Sequence, residues 1–395
     1  MAEGDFKGGA RARRAVALIA VALTVILLVG LTWLRANSPQ PAVIIPMPSP
    51  TPVVAASYSV TYDFISPSTG WAAVTDNANN RATWVFKTTD GAKHWQQIYA
   101  GTLAPSGAEV HFLDRAHGYL EGLFGQSEVF RTSDGGVHWQ AMTFPLPASD
   151  FAYADLTHAW FLTFDSQAPN PLFELFSSTD GGISWTEGSW PFNSFLSGKA
   201  TRANLVFLPD GEGWIGSSGN APVAYSTSDG GRSWHAHTIA LPPFTFPTPD
   251  PGKPQPPGPA YSVAAQVLPG IGVIAIVSDY SGNRIGFTSF DEGSTWRPVV
   301  LPNPATYDDI TYVDGRHWWA WRFGFLFKTS DGGATWQETH VAPLLDNWIY
   351  SPAHVIDAEH AWSQMTFAAR GGGSALSMTT DGGVSWHTVN VPKPG

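Results

Sequence analysis

Thr132-Ser133-Asp134-Gly135-Gly136-Val137-His138-Trp139 decides the fold, because the same eight-residue pattern returns six more times. The other copies are centred on Asp90, Asp180, Asp229, Asp291, Asp331 and Asp381, and they end on Trp95, Trp185, Trp234, Trp296, Trp336 and Trp386. The Asp-to-Asp spacings are 44, 46, 49, 62, 40 and 50 residues. A carboxylate at this position accepts backbone N–H bonds inside a tight turn, and the glycines supply the positive φ that such a turn needs. The Ser/Thr hydroxyl two residues earlier adds a local bond. The Trp then buries a large ring between neighbouring sheets. The seven aspartates therefore read as turn-forming residues. An active site needs one constellation, and here there are seven equivalent positions. Ala92 stands where the other copies have glycine, which strains the first turn.

A second signal precedes each turn. Gly70-Trp71, Gly118-Tyr119, Ala159-Trp160, Gly213-Trp214, Gly272-Val273, His317-Trp318 and Ala361-Trp362 each open a short apolar run. Another apolar run lies upstream of each, such as Val110 to Leu113 or Leu205 to Leu208. Each unit thus reads strand, turn, strand, loop, strand, Asp turn, strand. Four strands in roughly 40–50 residues make one propeller blade. The expectation is an all-β, seven-bladed β-propeller of four-stranded antiparallel blades over residues 57–392. A strand near Tyr58 is expected to complete the seventh sheet as a latch that hides an edge.

These repeats resemble the BNR/Asp-box repeats of sialidases, sortilin-type receptors and the photosystem II stability/assembly factor family. The paired Gly-Trp strand signal is most similar to the last. That resemblance implies a propeller fold and a chaperone-like role in building a membrane complex.

Residues Ala15 to Trp33 run for 19 positions without a charge, about 28 Å as a helix, which is close to a hydrocarbon core. Lys7, Arg11, Arg13 and Arg14 precede the run and Arg35 follows it. The expected order is a cytoplasmic tail (1–14), one uncleaved transmembrane helix (15–34), a Pro-rich linker (35–56) and an extracytoplasmic propeller. A cleaved leader would carry a shorter apolar run and a small-x-small site, which Leu34-Arg35-Ala36 does not supply.

The net charge is −11. The first 36 residues hold five Lys/Arg and two Asp/Glu, so the remainder stands at −14. Such a body is a poor partner for nucleic acid. There is no cysteine, hence no disulfide, thiolate nucleophile or Cys-based zinc site. No histidine has HExxH spacing, and no Gly-rich phosphate loop opens a helix, so no catalytic residue, metal or cofactor is expected.

The loops between second and third strands lie on the face away from the Asp turns. Four of them carry an arginine: Arg81, Arg284, Arg322 and Arg370, in blades 1, 5, 6 and 7, which are consecutive around a closed ring. Converging guanidinium groups grip a carboxylate or phosphate. They are the candidate anion patch, and the expected partner is a protein segment, such as one from a membrane protein. A glycan-binding or sialidase-like enzyme is the alternative, kept open by Trp190, Trp321, Phe323 and Trp348. Against it, Arg284-Ile285 is followed by Gly286, so the sialidase Arg-Ile-Pro signature is absent. The insertion Pro242 to Pro259 holds nine prolines and reads as a tolerated loop.

Overall fold

The structure is a computed structural model that describes residues 58–76, 78, 82–103, 108–122, 128–146, 148–165, 172–189, 206–242, 261–268, 272–279, 283–301, 309–322, 325–340, 348–350, 353–367 and 373–394. Among the described residues no helix is long and apolar enough to cross a membrane. The expected span, 15–34, lies outside them, as does most of the Pro-rich insertion.

The described residues form seven antiparallel sheets, one per repeat. Blade 1 is Tyr58–Phe64, Gly70–Asp76, Ala82–Thr88 and Gln96–Thr102. Blade 2 is Ala108–Phe112, Gly118–Gly122, Val129–Thr132 and Gln140–Ala141. Blade 5 is Tyr261–Leu268, Gly272–Asp279, Arg284–Ser289 and Arg297–Val299. Blades 3, 4, 6 and 7 occupy 148–187, 206–238, 309–340 and 348–389. The strands of each blade pair in chain order as a meander, and in blade 7 Trp348–Tyr350 and His354–Val355 both pair with Ala361–Phe367. One short strand crosses between blades. Ser218–Gly219, in the second-to-third loop of blade 4, pairs with Tyr261 and Ser262 of blade 5. Gly216 permits this approach, since a Cβ there would meet the Val263 carbonyl oxygen at 1.8 Å.

The Gly-Trp signal has a packing explanation. At Gly70, Gly118 and Gly213 an added Cβ would strike the ring of Phe64, Phe112 or Phe207, the last residue of the blade's first strand. Glycine lets that ring fold over the second strand. There it stacks on the aromatic that follows the Gly, or its alanine equivalent, in the preceding blade. Trp71 stacks on Phe112 at 3.7 Å, Tyr119 on Tyr153 at 3.2 Å, and Trp160 on Phe207 at 4.2 Å. Trp362 of blade 7 stacks on Phe64 of blade 1 at 3.9 Å, which closes the ring by the same rule.

Four of the seven tryptophans of the Asp turns follow a parallel rule. Trp185, Trp234 and Trp336 donate Nε1–H to carbonyls after the fourth strand of the preceding blade: Thr143, Ser189 and Val300. Trp95 does the same across the seam, to Asn390 at 2.9 Å. Blades 1 and 7 are therefore in contact as expected, but not through a latch. Tyr58–Phe64 pairs within blade 1, and blade 7 supplies its own strands. Repeated side-chain contacts close the ring, so no borrowed strand is needed.

One expectation is corrected. The deeply buried indoles are those of the second strands: Trp71, Trp160 and Trp214 are at most 2% exposed. Among the turn tryptophans only Trp386 is buried, at 4%; Trp139 and Trp336 are half-buried. The turn holds the indole near the surface, where its N–H is used and part of its ring stays wet.

Candidate functional site

The Asp turns are built alike in all seven blades. In blade 2, Thr132 Oγ1 donates to Asp134 and accepts from Gly136 N, while Asp134 accepts from the backbone N–H of Val137 and His138. The pKa values follow from these bonds. The His94 ring and then its N–H pull Asp90 down to about 2. The hydroxyl and then the N–H of Ser184 do the same for Asp180, and the Thr329 and Thr335 hydroxyls for Asp331. Partial burial pushes Asp134 and Asp229 upward, but hydrogen bonds outweigh it and both settle at about 2. Asp291 and Asp381 are lowered as well. The structure supports turn roles for all seven.

The same face absorbs six of the twelve histidines. His117, His158, His317 and His360 each turn Nδ1 to an aspartate three residues earlier, in the turn between first and second strands. His94 and His138 clip the Asp turns. The sequence signal was an Asp-x-x-His spacing repeated in four blades.

Cations on the third strands are clamps. Lys87, Arg131 and Lys328 lie directly opposite Trp71, Tyr119 and Trp319. Each donates to a backbone carbonyl of the next blade: Arg115, Gly181 and Gly382. Arg131 thereby lines a cleft of about 430 Å³ with His138, Trp139 and Leu156, but its guanidinium is already bonded to Gly181 and to Gln140. In blade 4 the equivalent place holds Ser226, whose hydroxyl meets His237 Nε2 at 2.8 Å, over the ring of Trp214.

Two of the four arginines expected to form the anion patch lie among the described residues. Arg284 opens the third strand of blade 5, half-buried and opposite Ser278. Arg322 ends the second strand of blade 6, opposite Phe325. Both thus sit at the predicted end of their blades. Arg81 and Arg370 lie outside the described residues. Of the aromatics that kept a glycan site open, Trp321 is 6% exposed and packs edge-on against Trp386 in the core. It is not a stacking platform. Trp190 and Phe323 lie outside the described residues.

The sequence reading missed a cluster on the first strands of blades 7, 1 and 2. Asp63, 7% exposed, accepts from Phe112 N at 2.5 Å and faces His354 Nε2 at 3.5 Å. In blade 2, His111 Nε2 lies 3.7 Å from Glu109 Oε2, and Glu109 is directly opposite Glu121. Partial burial of the His111 ring opposes its charging. A hydrogen bond to Glu109 and the negative charges of Asp63, Glu121 and Glu109 outweigh this, and its pKa is raised. The signal was Glu-x-His on one strand with a Glu on the next, a period-two pattern rather than a helical one.

Together these features define a closed seven-bladed propeller whose Asp-turn face is structural and whose repeats diverge near the axis and on the opposite face. No family model matches the chain, and no curated protein matches it. Solved structures that resemble it include YCF48 bound to D1 peptide, at 18% identity over 87% of this chain and 99% of that chain, with a TM-score of 0.53. YCF48 from Cyanidioschyzon merolae is similar at 16% identity over 85% and 97%, with a TM-score of 0.52. An oligogalacturonate lyase in complex with manganese reaches 0.56 at 13% identity over 85% and 97%. At these identities the likeness establishes the fold. A peptide-bound protein and a lyase share it, so activity has to be argued from the site.

Proposed function

We propose that this chain is a membrane-anchored, non-enzymatic propeller outside the cytoplasm that holds a segment of a protein partner on its arginine-bearing face. The carrying observation is the contrast between the faces. On the Asp-turn side, carboxylates, imidazoles and cations are consumed by bonds that recur from blade to blade. At the other end of the blades, Arg284 and Arg322 occupy strand ends that no repeat rule requires. The peptide bound to YCF48 supports a peptide as ligand, and the resemblance of the repeats supports an assembly or stability role for a membrane complex. The glycan reading is weakened by the burial of Trp321.

The test uses the full chain in detergent, cross-linked to its native membranes and read by mass spectrometry. Arg284→Ala with Arg322→Ala is expected to lower partner capture about tenfold, or about 1.4 kcal/mol, with little change in thermal stability. Equal loss of folding would make both arginines structural. Binding on a glycan array with no peptide capture would favour the second reading. A cytoplasm-only reporter fused at Gly395 is expected to stay silent, and a bright one would overturn the orientation.

A further inference from the structure

Glu109 and His111 are two apart on the first strand of blade 2, so they share a face. Glu121 lies directly opposite Glu109 on the second strand and joins the same face. One ligand atom from each of the three falls within 4.8 Å of the others. That face is turned towards blade 3, because Tyr119, directly opposite His111, stacks on Tyr153 there. We propose that Glu109, His111 and Glu121 form a binding site for a first-row divalent cation at the axial end of the seam between blades 2 and 3.

Three arguments carry this. The first is geometric. Donor atoms around an ion with bonds of about 2.0–2.2 Å stand about 3–4 Å apart. The observed separations approach this, and two adjacent hydrogen-bonded strands fix the spacing. The second is electrostatic. Two carboxylates directly opposite each other in a sheet repel and destabilise it. A divalent cation turns that repulsion into attraction. The third is comparative. The repeat does not require these residues. Blade 5 has Ala265, Val267 and Ala275 at the same register positions, and blade 1 has Thr61, Asp63 and Ala73.

The donor set chooses the class of ion. One imidazole nitrogen with two carboxylates suits Zn²⁺, Mn²⁺ or Co²⁺ better than Ca²⁺ or Mg²⁺, which prefer all-oxygen cages. The His111 side chain is 55% exposed, so an ion has access and water completes its coordination.

The test titrates Co²⁺ and Mn²⁺ into the tag-free full chain in detergent, with Mg²⁺ as the contrast. One equivalent of Co²⁺ is expected to bind and give a visible d–d band, which Zn²⁺ then displaces. Glu109→Gln and Glu121→Gln are each expected to weaken binding at least tenfold. His111→Gln is expected to remove the histidine-nitrogen coupling from the pulsed EPR spectrum of bound Mn²⁺. Circular dichroism and melting of the metal-free variants check that they fold. Absence of a one-equivalent band in the wild type overturns the site. So does binding that persists undiminished in the two glutamine variants, or a nitrogen coupling that survives His111→Gln.

Discussion

Blades 2 and 5 have the same strand order, an Asp turn at the same place and the same register, yet the equivalent faces of their first two strands are opposite in character. Blade 2 presents Glu109, His111 and Glu121. Blade 5 presents Ala265, Val267 and Ala275, none more than 3% exposed, in a core with Phe287 and Ile239. The turn chemistry and the aromatic stacks leave these positions free, so one seam became charged and open while another became dry. In a repeat protein, what recurs holds the fold, and what departs from recurrence is where function is to be sought.

Moving one seam's chemistry into the other is the harshest test. Ala265→Glu with Ala275→Glu places two carboxylates in a dry seam with no partner, and is expected to cost about 3–5 kcal/mol or more. The converse change, Glu109→Ala with Glu121→Ala in metal-free buffer, is expected to shift stability by no more than about 1 kcal/mol. Urea unfolding monitored by tryptophan fluorescence compares them. Equal costs would mean that the blade 2 carboxylates hold the sheet together.

The aromatic ring should break almost as hard in both halves. Trp71→Ala beside blade 2 and Trp214→Ala beside blade 5 each empty a fully buried site, at about 3–5 kcal/mol. Trp139→Ala and Trp336→Ala remove half-buried rings and are expected to cost about half as much. The reverse order in thermal melts would restore the turn indole as the main buried element.

This difference marks what was legible in the sequence. Blade number, strand order and the role of the aspartates followed from one motif, because a turn is a local device whose residues are adjacent in the chain. Which tryptophan is buried did not follow, since that depends on the next blade: Phe112 must lie over Gly118 before Trp71 is covered. The ring closure was misjudged for the same reason. The contact of Trp95 with Asn390 spans 295 residues and has no local signature. The axial cluster was overlooked because Glu109 and Glu121 lie on successive strands and meet only through their register. Arg284 and Arg322 stand where the second and third strands of their blades meet. The sequence pattern is silent on where their side chains point.

Acid should reach blade 2 and blade 5 through the same turn. Asp134 has a folded pKa of about 2 against an ordinary value of 3.8, and Asp291 is lowered too. A depressed carboxyl contributes stability above its unfolded pKa and loses it as pH falls through the folded one. The window for Asp134 therefore runs from about 3.8 down to about 2. Melting temperature is expected to hold above pH 4 and to fall below it. Asp134→Asn and Asp291→Asn are each expected to flatten part of that fall. A slope unchanged in both variants would remove the turns from the acid response.

The smallest effect lies in the turn itself, where blade 5 again departs from blade 2. Glu292 holds φ 54° at the place where Gly135 holds φ 78°. A side chain in the left-handed region costs about 1–2 kcal/mol, and Gly removes that cost while adding freedom to the unfolded chain. Glu292 is exposed, so nothing packed is lost with it. Glu292→Gly is expected to stabilise by about 0.5–1 kcal/mol. Ala92→Gly is the control with the same backbone gain. Ala92 is fully buried against Phe64, Trp362 and Leu376, so the lost methyl offsets the relief and the net change is expected near zero. The reciprocal change is not symmetric. At Gly135 a Cβ would lie 2.9 Å from the Arg115 carbonyl oxygen, within the neighbouring turn of the same blade. Gly135→Glu therefore adds crowding to strain, and is expected to cost more than Glu292→Gly gains. Equal and opposite shifts in thermal melts would show that φ alone sets the energy of this turn, and that the packed carbonyl contributes nothing.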